Sequence, residues 1–327
     1  MHVLGGPAVV SCCRVNVVVT GGAGFIGSNL VDALVARGDA VTVIDTLATG
    51  KRENLAGAIA GGAQLHEVDV RDTAAVRAVF EAARPQLVFH LAAQIDVRRS
   101  VTDAAFDAAV NILGGISVLE AARVTGVRRV VNTSTGGGLY GDATVLPTPE
   151  SHPIVPLAPY GQGKLAAEGY FDLYARLHGI STVSLRYGNV YGPRQDVHGE
   201  AGVVAIFCGC LIEGRSPVIY GQGNQTRDWV EVSDVVAANL FAAEAPIRGP
   251  LNIGHGRETS VLDLLVALRK VGAERGLVLP DPVFADARPG EVMRSCLDVT
   301  RARVELGWSP QVGLADGLRG ILTRVLP

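Results

Sequence analysis

Tyr160 and Lys164, in the run Tyr160-Gly161-Gln162-Gly163-Lys164, stand four residues apart. On a helix that spacing puts a phenol and an ammonium on one face. A phenol with an ordinary pKa of about 10 is a poor base at neutral pH, but adjacent positive charge favours the phenolate and makes it a usable acid/base. A second reactive group precedes this pair: residues 132 to 141 read N-T-S-T-G-G-G-L-Y-G, and a hydroxyl here could bond the oxygen from which the phenolate takes its proton. Thr135 is the first choice and Ser134 the second; the competing account is a hydroxyl-rich turn that satisfies its own amides.

A third group lies near the beginning. Val15 to Gly27 reads V-N-V-V-V-T-G-G-A-G-F-I-G, a short β-branched run that ends in Gly21, Gly24 and Gly27 and passes into a helical pattern, Phe25 to Arg37. The three glycines suit a tight turn, a close approach of backbone to a pyrophosphate, and close helix–strand packing. The amides of Phe25, Ile26 and Gly27 at the helix N-terminus would face that anion. A second strand-like run, Ala40 to Ile44, ends in Asp45, where a carboxylate bonds a ribose diol and repels a 2′-phosphate. The spacing therefore points to NAD rather than NADP, and an oxidised nicotinamide would add positive charge near Tyr160.

These groups need a scaffold that brings strand ends together. After Asp45 and a polar loop, an apolar stretch, Leu65 to Val70, ends in D-V-R-D, and Asp72 or Thr73 can cap a helix from Ala74 to Ala83. Pro85 breaks it. Leu87 to Leu91 reads as a buried strand, Asp103 to Thr125 as one long amphipathic helix stopped by Gly126, and Arg129 to Thr133 as another strand. The stretch from Tyr140 to Pro159 is an aperiodic loop, the next helix ends at Gly179, and Thr182 to Arg186 returns to the sheet. Strict β–α alternation implies a parallel sheet with ligands outside the carboxyl ends of its strands. Beyond Asn189 strands shorten and loops lengthen, with helices near Val203 to Glu213, Ser233 to Glu244, Ser260 to Val271 and Leu314 to Val325. The expected architecture is α/β: residues 1–13 as an extension, 14–188 as a Rossmann-type doubly wound parallel sheet, and 189–327 as a smaller mixed α/β substrate domain, with some interleaving of segments.

Composition narrows the class. The chain has 327 residues, 48% of them hydrophobic, and a net charge of −3. That supports an ample core and gives no electrostatic footprint for nucleic acid or an anionic membrane. Lysine occurs only at Lys51, Lys164 and Lys270, which makes the placement of Lys164 more telling. Cys12, Cys13, Cys208, Cys210 and Cys296 lack zinc-site spacing and read as reduced cytosolic thiols. The seven histidines show no pair at metal-ligand spacing, so no metal is expected, and His90, at an apolar strand end, reads as structural. Residues 1 to 13 lack a basic leader and a long apolar run, so neither export nor a membrane span is expected.

In combination the motifs resemble the extended short-chain dehydrogenases/reductases, and among them the nucleotide-sugar epimerases. The resemblance runs from about Arg14 to the C-terminus. It rests on T-G-G-A-G-F-I-G at Thr20 to Gly27, D-V at Asp69 and Val70, H-L-A-A at His90 to Ala93, Asn111, Y-G-Q-G-K at Tyr160 to Lys164 and R-Y-G-N-V-Y-G-P-R-Q at Arg186 to Gln195. T-R-D-W-V at Thr226 to Val230 and R-P-G-E-V at Arg288 to Val292 complete it. The resemblance implies that Asp69 and Val70 meet the adenine, and that Leu91, Ala92, Ala93, Asn111, Thr133 and Tyr187 line the cofactor. It places Asn189, Arg194, Gln222, Arg227, Arg288, Glu291 and Ser295 around the substrate, with Asn189, Arg227 and Arg288 on the UDP moiety. Ser295 falls where the family keeps a gatekeeper, and its small side chain would leave room for a substituent such as N-acetyl.

The function these features imply is NAD-dependent epimerisation of a UDP-sugar at carbon 4, of the UDP-glucose/UDP-galactose type, through a transient 4-keto intermediate. Lys164 would bond the nicotinamide ribose and lower the Tyr160 pKa. Relatives that dehydrate or decarboxylate carry an acidic residue just after the Ser/Thr, where this chain has Gly136 and Gly137, so those reactions are disfavoured. The alternatives are a UDP-glucuronate 4-epimerase, with Arg194, His198 or Arg294 meeting the carboxylate, and a catalytically silent NAD-binding sensor or scaffold. The resemblance further implies a homodimer formed through helices matching Asp103 to Thr125 and Pro159 to His178, in the cytoplasm.

Overall fold

The computed structural model describes residues 14–196, 202–287 and 292–325. Its first half alternates as the sequence requires. The strands are β1 (Asn16–Thr20), β2 (Ala40–Asp45), β3 (Gln64–Glu67), β4 (Leu87–His90), β5 (Arg129–Thr135) and β6 (Ser181–Tyr187). Between them run α1 (Phe25–Ala36), α2 (Ala56–Ala60), α3 (Thr73–Ala83), α4 (Val97–Thr102), α5 (Ala104–Ala108), α6 (Gly114–Thr125) and α7 (Pro159–His178). Local chemistry sets the ends of these helices. Asp72 Oδ1 accepts from the Ala75 amide at 3.0 Å to start α3, Pro159 opens α7, and left-handed Gly126 and Gly179 stop α6 and α7.

With a later strand, β10 (Gly249–Ile253), these strands form a seven-stranded sheet in the order β10-β6-β5-β4-β1-β2-β3, every pairing parallel. The order reverses between β1 and β4, which opens a crevice at their carboxyl ends. Valine-rich strands suit a sheet covered on both faces. α3, α6 and α7 pack on one face over Phe80, Val118 and Phe171, while α1 and α9 (Val232–Glu244) pack on the other.

The second half contributes β7 (Asn189–Tyr191), β8 (Val218–Tyr220), β9 (Thr226–Glu231), β10 (Gly249–Ile253), β11 (Glu258–Ser260) and β12 (Val283–Ala285). Its helices are α8 (Val203–Glu213), α9, α10 (Val261–Ala273) and α11 (Leu314–Val325). β7 and β11 flank β9, β8 pairs with β12, and α8, α10 and α11 share a separate core around Phe207, Leu264, Leu268 and Leu322. β10 instead returns to the large sheet beside β6.

The long helix expected over Asp103 to Thr125 is interrupted. A π-turn, Ala109–Leu113, separates α5 from α6, and Asn111 inside it closes bonds of 3.0 Å to both the amide and the carbonyl of Gln94. By length and composition the run Ala104–Thr125 could cross a membrane; here it packs against α3 and α7. α4, not foreseen, is capped by Asp96, whose Oδ1 accepts from the amides of Arg98 and Arg99.

Candidate active site

The glycine-rich turn joins β1 to α1 at the mouth of the crevice. Gly21 has φ +70° and its amide donates to Ile44 O at 2.8 Å. A Cβ on Gly27 would stand 2.1 Å from Gly21 O, so only glycine lets the helix come this close to the turn. α1 has no side-chain cap and no acidic residue in its first turn. The amides of Phe25, Ile26 and Gly27 thus keep the orphan donors of a helix N-terminus, and the arrangement fits a pyrophosphate.

Asp45 ends β2 beside this turn. Its Oδ2 accepts from the Ala23 amide at 2.9 Å and its Oδ1 from Leu47 at 2.8 Å, so the carboxylate braces the turn. Each oxygen keeps a further lone pair for a ribose hydroxyl. Asp69 is held by Arg71 at 2.6 Å, and that guanidinium keeps its carboxyl below the usual range. Val70 is buried. Leu91, Ala92 and Ala93 follow β4, with the Leu91 amide on Thr20 O at 3.0 Å and the Ala92 amide on Thr20 Oγ1 at 3.3 Å. Thr20 Oγ1 also bonds His90 Nδ1 at 2.7 Å; burial holds that imidazole neutral, its pKa down at about 3.

Tyr160 and Lys164 occupy the first two turns of α7, across from the end of β5. Thr135 Oγ1 accepts from the Gly138 amide at 3.1 Å, and the Tyr160 ring lies against the same glycine: a Cβ there would stand 3.3 Å from Thr135 Oγ1 and 3.4 Å from Tyr160 Cε1. Lys164 Nζ donates to Thr133 O at 3.0 Å from a site only 5% exposed, and burial brings its pKa down to about 8. The Tyr160 phenol is instead pushed up to about 12, burial outweighing the bond from Thr135. In this resting arrangement the phenol is protonated, and a further positive charge is needed to release its proton.

Ser134 is placed differently. Alternation along β5 turns it the other way, and its hydroxyl donates to Glu168 Oε1 at 2.5 Å. Glu168 grips Arg186 through two bonds of 2.9 and 2.6 Å, Arg186 Nη1 donates to the Tyr140 phenol at 2.8 Å, and that phenol donates to Asn252 Oδ1 at 2.9 Å. The chain of bonds ties α7, β5, β6 and β10 together. Tyr187 is buried between Thr133 and Asn239. Sequence reasoning missed Glu168, although it stands four residues beyond Lys164 on the same helix face.

Asn189 Oδ1 and Ser295 Oγ each lie 3.9 Å from where a Cβ on Gly137 would be, so β7 and the C-terminal segment meet at the end of β5. Arg227 lies on β9, its Nη1 donating to Thr226 O at 2.8 Å, and Gln222 is exposed after β8. Arg194 turns away toward α1, paired with Asp32 at 2.5 Å, and Arg294 is paired with Glu258 at 2.5 Å. His198, Arg288 and Glu291 lie outside the described residues, as does the extension 1–13.

Known proteins resemble this chain over most of its length. A family model described as the NAD dependent epimerase/dehydratase family matches residues 17–254. The chain is 47% identical over 305 residues to a UDP-glucose 4-epimerase of Mycolicibacterium smegmatis, covering 92% of this chain and 95% of that one. Among solved structures, it superposes on the UDP-glucose 4-epimerase of Thermotoga maritima with UDP-glucose at a TM-score of 0.90 and 43% identity, covering 95% and 98% of the two chains. The Thermus thermophilus UDP-glucose 4-epimerase complex with NAD gives 0.87 and 42%, covering 94% and 97%.

Proposed function

The chain belongs to the NAD-dependent epimerase/dehydratase family, and from that premise we propose that it interconverts carbon-4 epimers of a UDP-sugar of the UDP-glucose/UDP-galactose type. The observation that carries this reading is the meeting of Thr135 and Tyr160 beside Gly138, with Lys164 one helical turn on, at the carboxyl edge of a sheet whose glycine turn fits a dinucleotide. When bound, oxidised NAD would supply reversible hydride acceptance at carbon 4 and a positive charge in the site, held by the glycine turn, Asp45 and Lys164.

The remaining steps fall to the protein. Tyr160 Oη takes the proton from the 4-hydroxyl and gives it back after the 4-keto sugar has turned over. We assign the hydroxyl that steadies that oxygen to Thr135 rather than Ser134, because Ser134 is bonded to Glu168. Lys164 holds the nicotinamide ribose. Gly21, Gly24, Phe25, Ile26, Gly27 and Asp45 hold the pyrophosphate and adenosine ribose, with Asp69, Val70, Leu91, Ala92, Ala93, Thr133 and Tyr187 along the cofactor. The braced Asn111 keeps the loop after β4 in place. Asn189, Gln222, Arg227, Arg288, Glu291 and Ser295 receive the UDP-sugar, and Arg194 supports that side through Asp32.

The UDP-glucuronate reading loses support, since Arg194 and Arg294 already face carboxylates of the protein. The division of labour we infer gives cofactor binding to 14–188 with β10 and α9, and substrate binding to the rest. We also infer a homodimer in the cytoplasm. Val97, Val101, Leu113, Val124 and Leu177 are exposed on α4 to α7, and an apolar face of this kind favours pairing.

Separate incubation of the protein with UDP-glucose, UDP-N-acetylglucosamine and UDP-glucuronate, followed by separation of each from its 4-epimer, tests the reaction. Preferential conversion of UDP-glucose supports it. Preferential conversion of the uronate instead supports the second reading, and bound NAD without conversion of any sugar overturns both.

A further inference from the structure

Asp107 is a buried carboxylate, 1% exposed, on the face of α5 that meets α7. Its Oδ1 accepts from Gln94 Nε2 at 2.8 Å and from Asn111 Nδ2 at 3.1 Å. Its Oδ2 lies against the first turns of α7: a Cβ on Gly163 would stand 2.8 Å from it, and Gly163 is the residue before Lys164. The triangle Asp107–Gln94–Asn111 fixes the loop after β4, because Gln94 Oε1 in turn accepts from the Asp96 amide at 2.5 Å.

An oxygen acceptor alone would suffice for that brace, since both donors are neutral amides. The negative charge is surplus to it, and a buried carboxylate is costly unless a cation compensates it. The cation available is Lys164. The groups facing its ammonium are Glu168 on its own helix, His90 on β4, the Thr133 carbonyl on β5 and Asp107 on α5. Glu168 is neutralised by Arg186 in a two-bond pair, and His90 is uncharged. Asp107 therefore supplies the uncompensated negative charge.

We propose that Asp107 is a positioning residue that keeps Lys164 charged in a buried site and thereby sets the pH window in which the Tyr160–Lys164 pair works. Its charge acts on both members, favouring the ammonium of Lys164 and opposing the phenolate of Tyr160. Removing it should make Lys164 lose its proton sooner and Tyr160 ionise sooner, so both limbs of a bell-shaped rate profile move toward lower pH. The inference rests on the reading of Tyr160 and Lys164 as the working pair.

With only Lys51, Lys164 and Lys270 in the chain, lysine labelled at Cε gives three signals, and Lys164→Met assigns the one that matters. In the unaltered protein, without substrate, the Lys164 signal should titrate at about 8. In Asp107→Asn its midpoint should fall by about one unit, with both limbs of the rate profile following. Gln94→Met, which loosens the brace and leaves the charge, should lower the melting temperature or NAD affinity without moving that midpoint. An unmoved midpoint in Asp107→Asn, with only a lower melting temperature, overturns the proposal and leaves Asp107 a brace. The titration needs no turnover, so that outcome would not touch the catalytic assignment. Should the Asn variant not fold, Asp107→Ser carries the same two readouts.

Discussion

Leu297 seals Gly136: a Cβ on that glycine would stand 2.5 Å from Leu297 Cδ1 and 2.6 Å from Cδ2. The C-terminal segment thus closes over the end of β5, one residue past Thr135. The next glycine has no such neighbour, since Gly137 opens toward Asn189 and Ser295.

The two glycines should therefore answer substitution differently. Gly136→Ala should cost about 1–3 kcal/mol through overpacking. Gly137→Ala should melt as the unaltered protein does and lose turnover most with UDP-sugars bulky at carbon 2. Melting curves and kcat/KM for UDP-glucose and UDP-N-acetylglucosamine check this, and a stable Gly136→Ala would contradict the packing.

Tyr160→Phe keeps the ring and removes the proton carrier. It should fold, bind NAD, and lose on the order of 100- to 10,000-fold in turnover. Near-normal turnover would take Tyr160 out of the reaction.

Asp45→Ala should erode discrimination against NADP, read as the ratio of the two dissociation constants. The carboxylate also anchors the amides of Ala23 and Leu47, so the variant should lose about 1–3 kcal/mol of stability as well. Unchanged discrimination would refute the ribose role.

His90 predicts an acid limb in stability. Its imidazole titrates at about 3 when folded and near 6.5 when unfolded, so between those values the unfolded chain binds the extra proton. Its share of stability is present above about pH 6.5 and is lost as the pH falls toward 3. Urea unfolding at several pH values should show a shallower acid loss in His90→Gln, and an identical slope would contradict this.

What could be read from the chain beforehand was what local spacing encodes. Tyr160 and Lys164 stood out because helical geometry makes four residues one face, and Gly21 to Gly27 because strand, turn and helix follow without a gap. The same rule reaches Glu168, four beyond Lys164, and Asp107, four before Asn111, yet a carboxylate on a helix more often faces water. Choosing Thr135 over Ser134 needed Glu168 in place across the strand. Leu297 over Gly136 joins segments distant in sequence, and no period in the chain announces such a contact. β10 was hidden for another reason: five residues containing Pro250 give too weak a pattern to identify as a sheet strand.

That late strand has a consequence for how such proteins can be recombined. A chain cut after residue 188 would leave β6 with a bare parallel edge, the kind of template that invites aggregation. The segments before and after residue 188 are therefore not exchangeable cassettes. A chimera that swaps one for the other must carry Gly249–Ile253 along with the first segment, with its crossover helix Val232–Glu244, or build a new edge strand in their place.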